Sequence, residues 1–258
     1  MPTAIVRAYS KDGFVIAADR RFSNFTKRKP ISDDRQKVFP IGNRPLAYSM
    51  IGITKLGHRD ETIETPRFEF DLAVAKGVQS TSMRDSWSME HYARKLCWPI
   101  YAALRDAVRG GEVGMSFKLP PDDRRGSPIV NLLLDGYVDG RPNRVTVRFY
   151  HEDGKVGEPE ILSEEVELDK AWFYGSPLVA NKFMGDDSAF SKYRKARPPA
   201  HPSMKLSEHI SIALGYLESC SSEEGLAVDP ECWNIGGLPS IATITPADGF
   251  QWVPGYGH

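Results

Sequence analysis

The chain has 258 residues, with 33 basic against 34 acidic side chains, a net charge of −1 and 41% hydrophobic residues. That balance excludes a disordered chain and offers no global field toward nucleic acid or an anionic membrane. The three scattered cysteines, Cys97, Cys220 and Cys232, lack C-x-x-C spacing and argue against a disulfide framework or a zinc site.

No apolar run reaches the length of a signal peptide or a membrane span, so a reducing, cytoplasmic setting without membrane contact is expected. Residues 3–9 and Phe14 to Ala18 flank an Asp12-Gly13 turn signal, which predicts a β-hairpin. Both runs are nearly continuous rather than alternating, the pattern of strands covered on both faces. Residues 20–37 are polar and basic and read as a solvated charged loop. No aromatic platform or glycine-rich cradle accompanies them to suit nucleic acid or phosphate.

Gln36 to Ile41 and Leu46 to Ile53 read as strands joined at Gly42-Asn43, and weak periodicity over 54–86 predicts mostly loop or insertion. Apolar Trp87, Tyr92, Leu96, Ile100, Leu104 and Val108 predict an amphipathic helix over 86–108, ended by Gly110-Gly111. A polar loop at 112–128 follows, then strands at Ile129 to Val138 and Arg144 to Tyr150. Trp172 to Tyr174 forms a short strand ending at Gly175-Ser176, and Pro177 to Met184 a short helix. After a proline-rich break at 198–202, Ser207 caps a helix to Cys220 with Ile210, Ala213, Leu214 and Leu217 on its apolar face. Ile241 to Thr245 and Phe250 to Val253 make a last hairpin across Asp248-Gly249. Helices segregated from hairpin-linked strands predict an α+β fold of stacked antiparallel sheets with helices outside.

The segment from Lys11 to Arg21, Lys-Asp-Gly-Phe-Val-Ile-Ala-Ala-Asp-Arg-Arg, resembles the second strand and following turn of proteasome β subunits and their bacterial relatives. So do Gln36-Lys37-Val38-Phe39-Pro40-Ile41 and the apolar strand ending Ile51-Gly52-Ile53. The likeness is specific over residues 3–57, and matches in order and length over 86–110 and 171–253. It implies the four-layer αββα sandwich of N-terminal-nucleophile hydrolases, as a single domain over 1–258 with insertions at 54–85 and 112–128. It also implies threonine-dependent hydrolysis of a peptide or amide substrate, and assembly into homo-oligomeric rings.

Carried onto this chain, the resemblance makes Thr3 the nucleophile, Lys37 the catalytic lysine, Asp19 its carboxylate, Gly52 an oxyanion donor and Ser176 a support for the amine. In such a site a free α-amine takes the hydroxyl proton, and its ordinary pKa near 7.7–8.0 suits the task. No cofactor or metal is implied. Each residue also has a plainer reading: Thr3 as a strand-starting residue, Asp19 and Lys37 as a structural ion pair, Cys97 as a small buried hydrophobe.

Departures are visible too. Pro177 stands where a glycine is usual, Ile235 replaces the serine before Gly236-Gly237, and Asp229 lies too far upstream to serve as the late carboxylate. Met1 and Pro2 precede Thr3, and a retained Pro2 leaves it without a free amine. A catalytically silent subunit with an assembly or binding role is therefore the alternative, and amide transfer to an amine acceptor a third reading.

Overall fold

The computed structural model describes residues 3–24, 28–56, 66–110, 128–152, 155–194 and 204–257. It is mixed α+β, with two larger antiparallel sheets and several helices. Strands β1 (Ile5–Ser10) and β2 (Gly13–Ala18) pair antiparallel, Ile5 opposite Ala18 and Ser10 opposite Gly13, which is the hairpin the Asp-Gly turn predicts.

The basic stretch that follows is more ordered than a solvated loop. It holds a small antiparallel pair, β3 (Phe22–Asn24) with β4 (Lys29–Ser32), and buries Arg20. Strand β5 (Val38–Pro40) is shorter than predicted and leaves Lys37 just ahead of it; β6 (Leu46–Gly52) follows. The loop reading of 54–86 needs correction, because β7 (Lys55–Leu56), β8 (Phe68–Glu69) and α1 (Phe70–Ser80) lie there. Helix α1 buries only Phe70, Val74 and Gly77 and leaves Leu72 facing out, so its apolar period is faint in the sequence.

Helix α2 (Met89–Arg109) begins where Ser88 Oγ accepts from His91 N at 3.1 Å, and Gly110 caps its end. Strands β9 (Pro128–Val138), β10 (Arg141–Glu152), β11 (Lys155–Val156), β12 (Glu160–Glu164) and β13 (Lys170–Tyr174) follow. Next come α3 (Pro177–Met184), a 3-10 turn at Ser188–Tyr193, α4 (Leu206–Cys220), α5 (Glu223–Val228) and a second 3-10 turn at Pro230–Asn234. Strands β14 (Ser240–Thr245) and β15 (Gly249–Trp252) close the chain as the expected hairpin. Ser207 is not the cap of α4. Glu208 reaches back instead, its Oε2 accepting from Lys205 N at 2.7 Å. The loop expected at 112–128, up to residue 127, the proline-rich break and Met1-Pro2 lie outside the described residues.

The chain divides into two compact units. The first comprises Met1–Ser49, Asp135–Gly140 and Val166–His258, and carries the sheet β13-β1-β2-β14-β15. One face of this sheet, with Ala4, Val6, Ala8, Val15, Ala17 and Ile241, packs against Ile212, Ala213, Tyr216 and Cys220 of α4 and against Phe183 and Phe190. The opposite face holds Arg7, fully buried, whose Nε donates to Asp135 Oδ2 at 2.8 Å. Its Nη1 donates to Tyr174 Oη at 3.0 Å. Both faces are thus covered, as the continuous apolar runs require, and the cation buried in β1 carries its own counter-ion.

The second unit comprises Met50–Leu134 and Arg141–Glu165. There α2 packs on β10, β11 and β12, and α1 packs on α2 through Gly77, where a Cβ would stand 2.8 Å from Leu96 Cδ1. Phe70 meets Phe149 edge-on at 5.4 Å. The other large sheet has the order β11-β10-β9-β6-β5, with β12 also pairing with β10.

Candidate active site

Three of the residues singled out in the sequence, Thr3, Asp19 and Lys37, belong to the first unit, where Lys37 and the amide of Ala4, the residue after Thr3, both reach the Asp19 carboxylate. Thr3 is buried, two residues ahead of β1, and Asp19 directly follows β2. The hairpin therefore ends with these two segments side by side. Ala4 N donates to Asp19 Oδ1 at 2.9 Å, and Asp19 N donates back to the Ala4 carbonyl at 3.0 Å. Lys37 reaches the same oxygen, its Nζ lying 2.8 Å from Asp19 Oδ1. The backbone amide that continues Thr3 and the Lys37 ammonium thus share one acceptor.

The second oxygen is held from elsewhere. Arg21 N donates to Asp19 Oδ2 at 3.1 Å, with Gly236 N 3.4 Å away. Asp19 is 2% exposed and the Lys37 side chain 10%, so the pair is shielded from water. Burial pulls both groups toward neutrality: it pushes the Asp19 carboxyl up and the Lys37 ammonium down, while their mutual attraction opposes both shifts. The charges of Arg35 and Arg21 add to the downward pressure on Lys37. A lysine in such surroundings gives up its proton more readily than one in water.

Arg21 had no assigned role in the sequence beyond membership of the basic stretch. Here its Nε and Nη2 grip Asp33 at 2.6 and 3.0 Å, and its Nη1 donates to the Trp233 and Ile235 carbonyls at 3.0 and 3.3 Å. Arg20 N and Arg21 N both donate to the Gly236 carbonyl at 2.9 Å. The arginine thereby ties the 233–236 segment to the turn that presents Asp19. Gly236 allows this approach, since a Cβ there would stand 2.6 Å from Arg21 Cζ. The bidentate contact holds the Asp33 carboxyl below the usual range. The available signal was the Arg21 and Gly236-Gly237 combination, which becomes legible only once the two segments are known to touch.

Ser176 is buried at the start of α3, where its Oγ accepts from Val179 N at 3.1 Å. Its neighbour Gly175 has a φ of 115°, and a Cβ on it would stand 3.0 Å from both the Thr3 carbonyl oxygen and Ala4 Cα. The glycine is therefore required both for its backbone conformation and for its contact with the Thr3–Ala4 peptide. The Cys232 thiol lies beside Ser176 and Cys220. Asp229 caps the second 3-10 turn, its Oδ1 accepting from Glu231 N at 3.0 Å.

Gly52 belongs to the second unit, at the end of β6. Its φ is 116° and a Cβ would stand 2.3 Å from the Ile129 carbonyl oxygen, so only glycine fits. Cys97 is fully buried in α2, and burial pushes its thiol up to about 11. Among the described residues no group of three or more His, Cys, Asp or Glu side chains is placed to hold a metal ion. Among them, too, no helix is long and apolar enough to cross a membrane.

No family model and no curated protein matches this sequence.

Proposed function

We propose that the chain is a threonine-type amidohydrolase or peptidase of the proteasome-like, N-terminal-nucleophile kind, built as an αββα sandwich. The observation that carries this reading is the convergence of Lys37 Nζ and Ala4 N on Asp19 Oδ1, which sets a shielded ammonium beside the peptide that continues Thr3. In this chemistry the Thr3 hydroxyl attacks an amide carbon and the amine leaves with a proton. Water then cleaves the resulting ester and restores the hydroxyl. A nearby ammonium favours the alkoxide that attacks, and Asp19 orients that ammonium. The base is the Thr3 α-amine once residues 1 and 2 are removed.

One observation favours the alternative of a silent subunit. The Ser176 oxygen caps α3 and Asp229 caps a turn, so each has a structural use that requires no catalysis. The homo-oligomer implied by the resemblance belongs to the same proposal, and light scattering reads it directly.

The test compares three preparations on a panel of peptides carrying a fluorogenic amide: the full chain, a chain whose first residue is Thr3, and the latter with Thr3→Ala. The reading expects activity from the Thr3-first chain and a loss of at least about 10³-fold on Thr3→Ala, since the nucleophile acts as part of a unit. Full activity in Thr3→Ala overturns the nucleophile assignment. A Thr3-first chain that turns over no peptide and forms no ester with a threonine-directed electrophile favours the silent subunit.

A further inference from the structure

Tyr216 sits near the end of α4 with its side chain entirely buried. Its ring packs on Phe173 at 4.8 Å and Phe183 at 5.9 Å. A phenol in an apolar pocket must place its hydroxyl on a partner. Tyr216 places it on the turn after β13. The hydroxyl donates to the Tyr174 carbonyl at 3.0 Å, accepts from Ser176 N at 3.3 Å and has the Ser176 carbonyl 3.3 Å away. These contacts bracket Gly175 from both sides. Burial pushes the phenol well above its ordinary value, so the group remains an O–H donor.

Gly175 lies against the Thr3–Ala4 peptide, on which a Cβ at this position would press. Its backbone conformation is one that other residues rarely adopt, with a φ of 115°. A turn of that kind persists only when its surroundings fix it. Register also matters: Ile5 pairs with Tyr174, so any slip of the turn moves the segment that carries Thr3.

We propose that Tyr216 is a positioning residue of the Thr3 site. Its hydroxyl locks the Tyr174–Gly175–Ser176 turn, and that turn fixes where the Thr3–Ala4 peptide lies relative to the Asp19–Lys37 pair. Tyr216 touches no reacting atom. The catalytic half of this inference rests on the threonine-nucleophile reading, whereas the structural half stands apart from it.

The experiment is Tyr216→Phe, which keeps the ring and removes only the hydroxyl. Hydrogen exchange is measured on full-length protein, and peptides covering 171–179 and 3–10 are compared with peptides from the rest of α4. The expected result is at least tenfold faster exchange around Ser176 and Ala4, with α4 at 206–214 unchanged. On the Thr3-first chain, a β-lactone probe that esterifies the threonine hydroxyl reports the second half. Its maximal labelling rate falls about tenfold in Tyr216→Phe while its half-saturating concentration holds, as when geometry rather than ground-state binding is lost.

Unchanged exchange at 171–179 and 3–10 overturns the proposal. So does faster exchange with an unchanged labelling rate, because the turn then has no bearing on the hydroxyl. If the β-lactone fails to label even the unsubstituted Thr3-first chain, the nucleophile reading falls. The exchange result still decides whether Tyr216 holds the turn.

Discussion

Replacing Asp19 by Asn and Lys37 by Met, singly and together, separates the cost of an orphaned charge from the net worth of the pair. At 2.8 Å, with an effective dielectric near 20, the gross attraction is about 6 kcal/mol. Removing two nearly buried ions from water costs several kcal/mol each, so the intact pair contributes little net stability. Removing one partner is different. Lys37→Met leaves the Asp19 carboxyl without its counter-ion at 2% exposure, and Asp19→Asn leaves the Lys37 amine without its own, already pressed by Arg35 and Arg21, so each must either bear an unpaired charge or change its proton occupancy. Each single change is expected to cost about 3–5 kcal/mol. The double variant has no orphan charge, and the introduced carboxamide keeps one acceptor oxygen for Ala4 N. It retains a mismatch, because an amide nitrogen now faces the Arg21 and Gly236 N–H groups, so its cost is about 1–3 kcal/mol. Urea unfolding of all four proteins at pH 7, followed by circular dichroism, measures the cycle. The double variant should be more stable than either single one, with a coupling energy of at least ~3 kcal/mol. Additivity to within about 0.5 kcal/mol would mean the two groups do not interact and would refute the reading of the site.

His209 supplies a test by pH. It is 1% exposed, and burial lowers its affinity for a proton, partly offset by the Lys205 carbonyl and the charges of Asp169 and Glu208. A depressed histidine favours the folded state above its unfolded value near 6.5, and that stability is lost as pH falls toward the folded value. The urea midpoint should therefore drop between pH 7.5 and 5, and His209→Gln should flatten the drop; an equal slope in both proteins would show that His209 does not couple to folding. Gly175→Ala places a Cβ against the Thr3 carbonyl at a φ of 115° and should cost about 1–3 kcal/mol, read as a lower melting temperature. An unshifted melting temperature would show that the turn relaxes freely.

Much of the first unit was legible because its signals are local. The Asp12-Gly13 turn, the unbroken apolar runs around it and the span of α3 depend on neighbours in sequence, and the structure places each as expected. What was hidden depends on partners far along the chain. Arg7 lies in a strand whose neighbours in sequence offer it no counter-ion, and its partner Asp135 is 128 residues away. Arg20 and Arg21 look like a solvated basic run, yet their amides and the Arg21 guanidinium meet the 233–236 segment. In α4 Ala213 and Leu217 are in the core and Ile210 and Leu214 pack against it as the sequence suggests, but the buried face also takes in Ile212 and Tyr216, and Gly215 lets the Tyr193 carbonyl approach where a Cβ would stand only 2.0 Å from its oxygen. Helix α1 escaped because three buried positions in eleven residues set too weak a period.

The resemblance names the residue types of the site and part of its surroundings, Ser176 and Gly236-Gly237, but not the contacts that hold them together. Thr3 and Asp19 lie at the open end of one hairpin, whereas Lys37 arrives from beyond the β3–β4 pair, just ahead of a strand of the other large sheet. Asp19 accepts from Ala4, Arg21, Gly236 and Lys37, and of these only the Ala4 amide comes from the other arm of that hairpin. Gly236 arrives from 217 residues away. Gly175 reaches the Thr3–Ala4 peptide from the end of β13, and Tyr216 brackets Gly175 from α4. Gly175, Gly236 and Tyr216 bear no charge, and the charge of Arg21 does not by itself show which distant segment it meets. Their role follows from an accounting of buried polar groups. The carboxylate and the phenol must both find partners once they leave water, and the partners they find are the segments that frame Thr3.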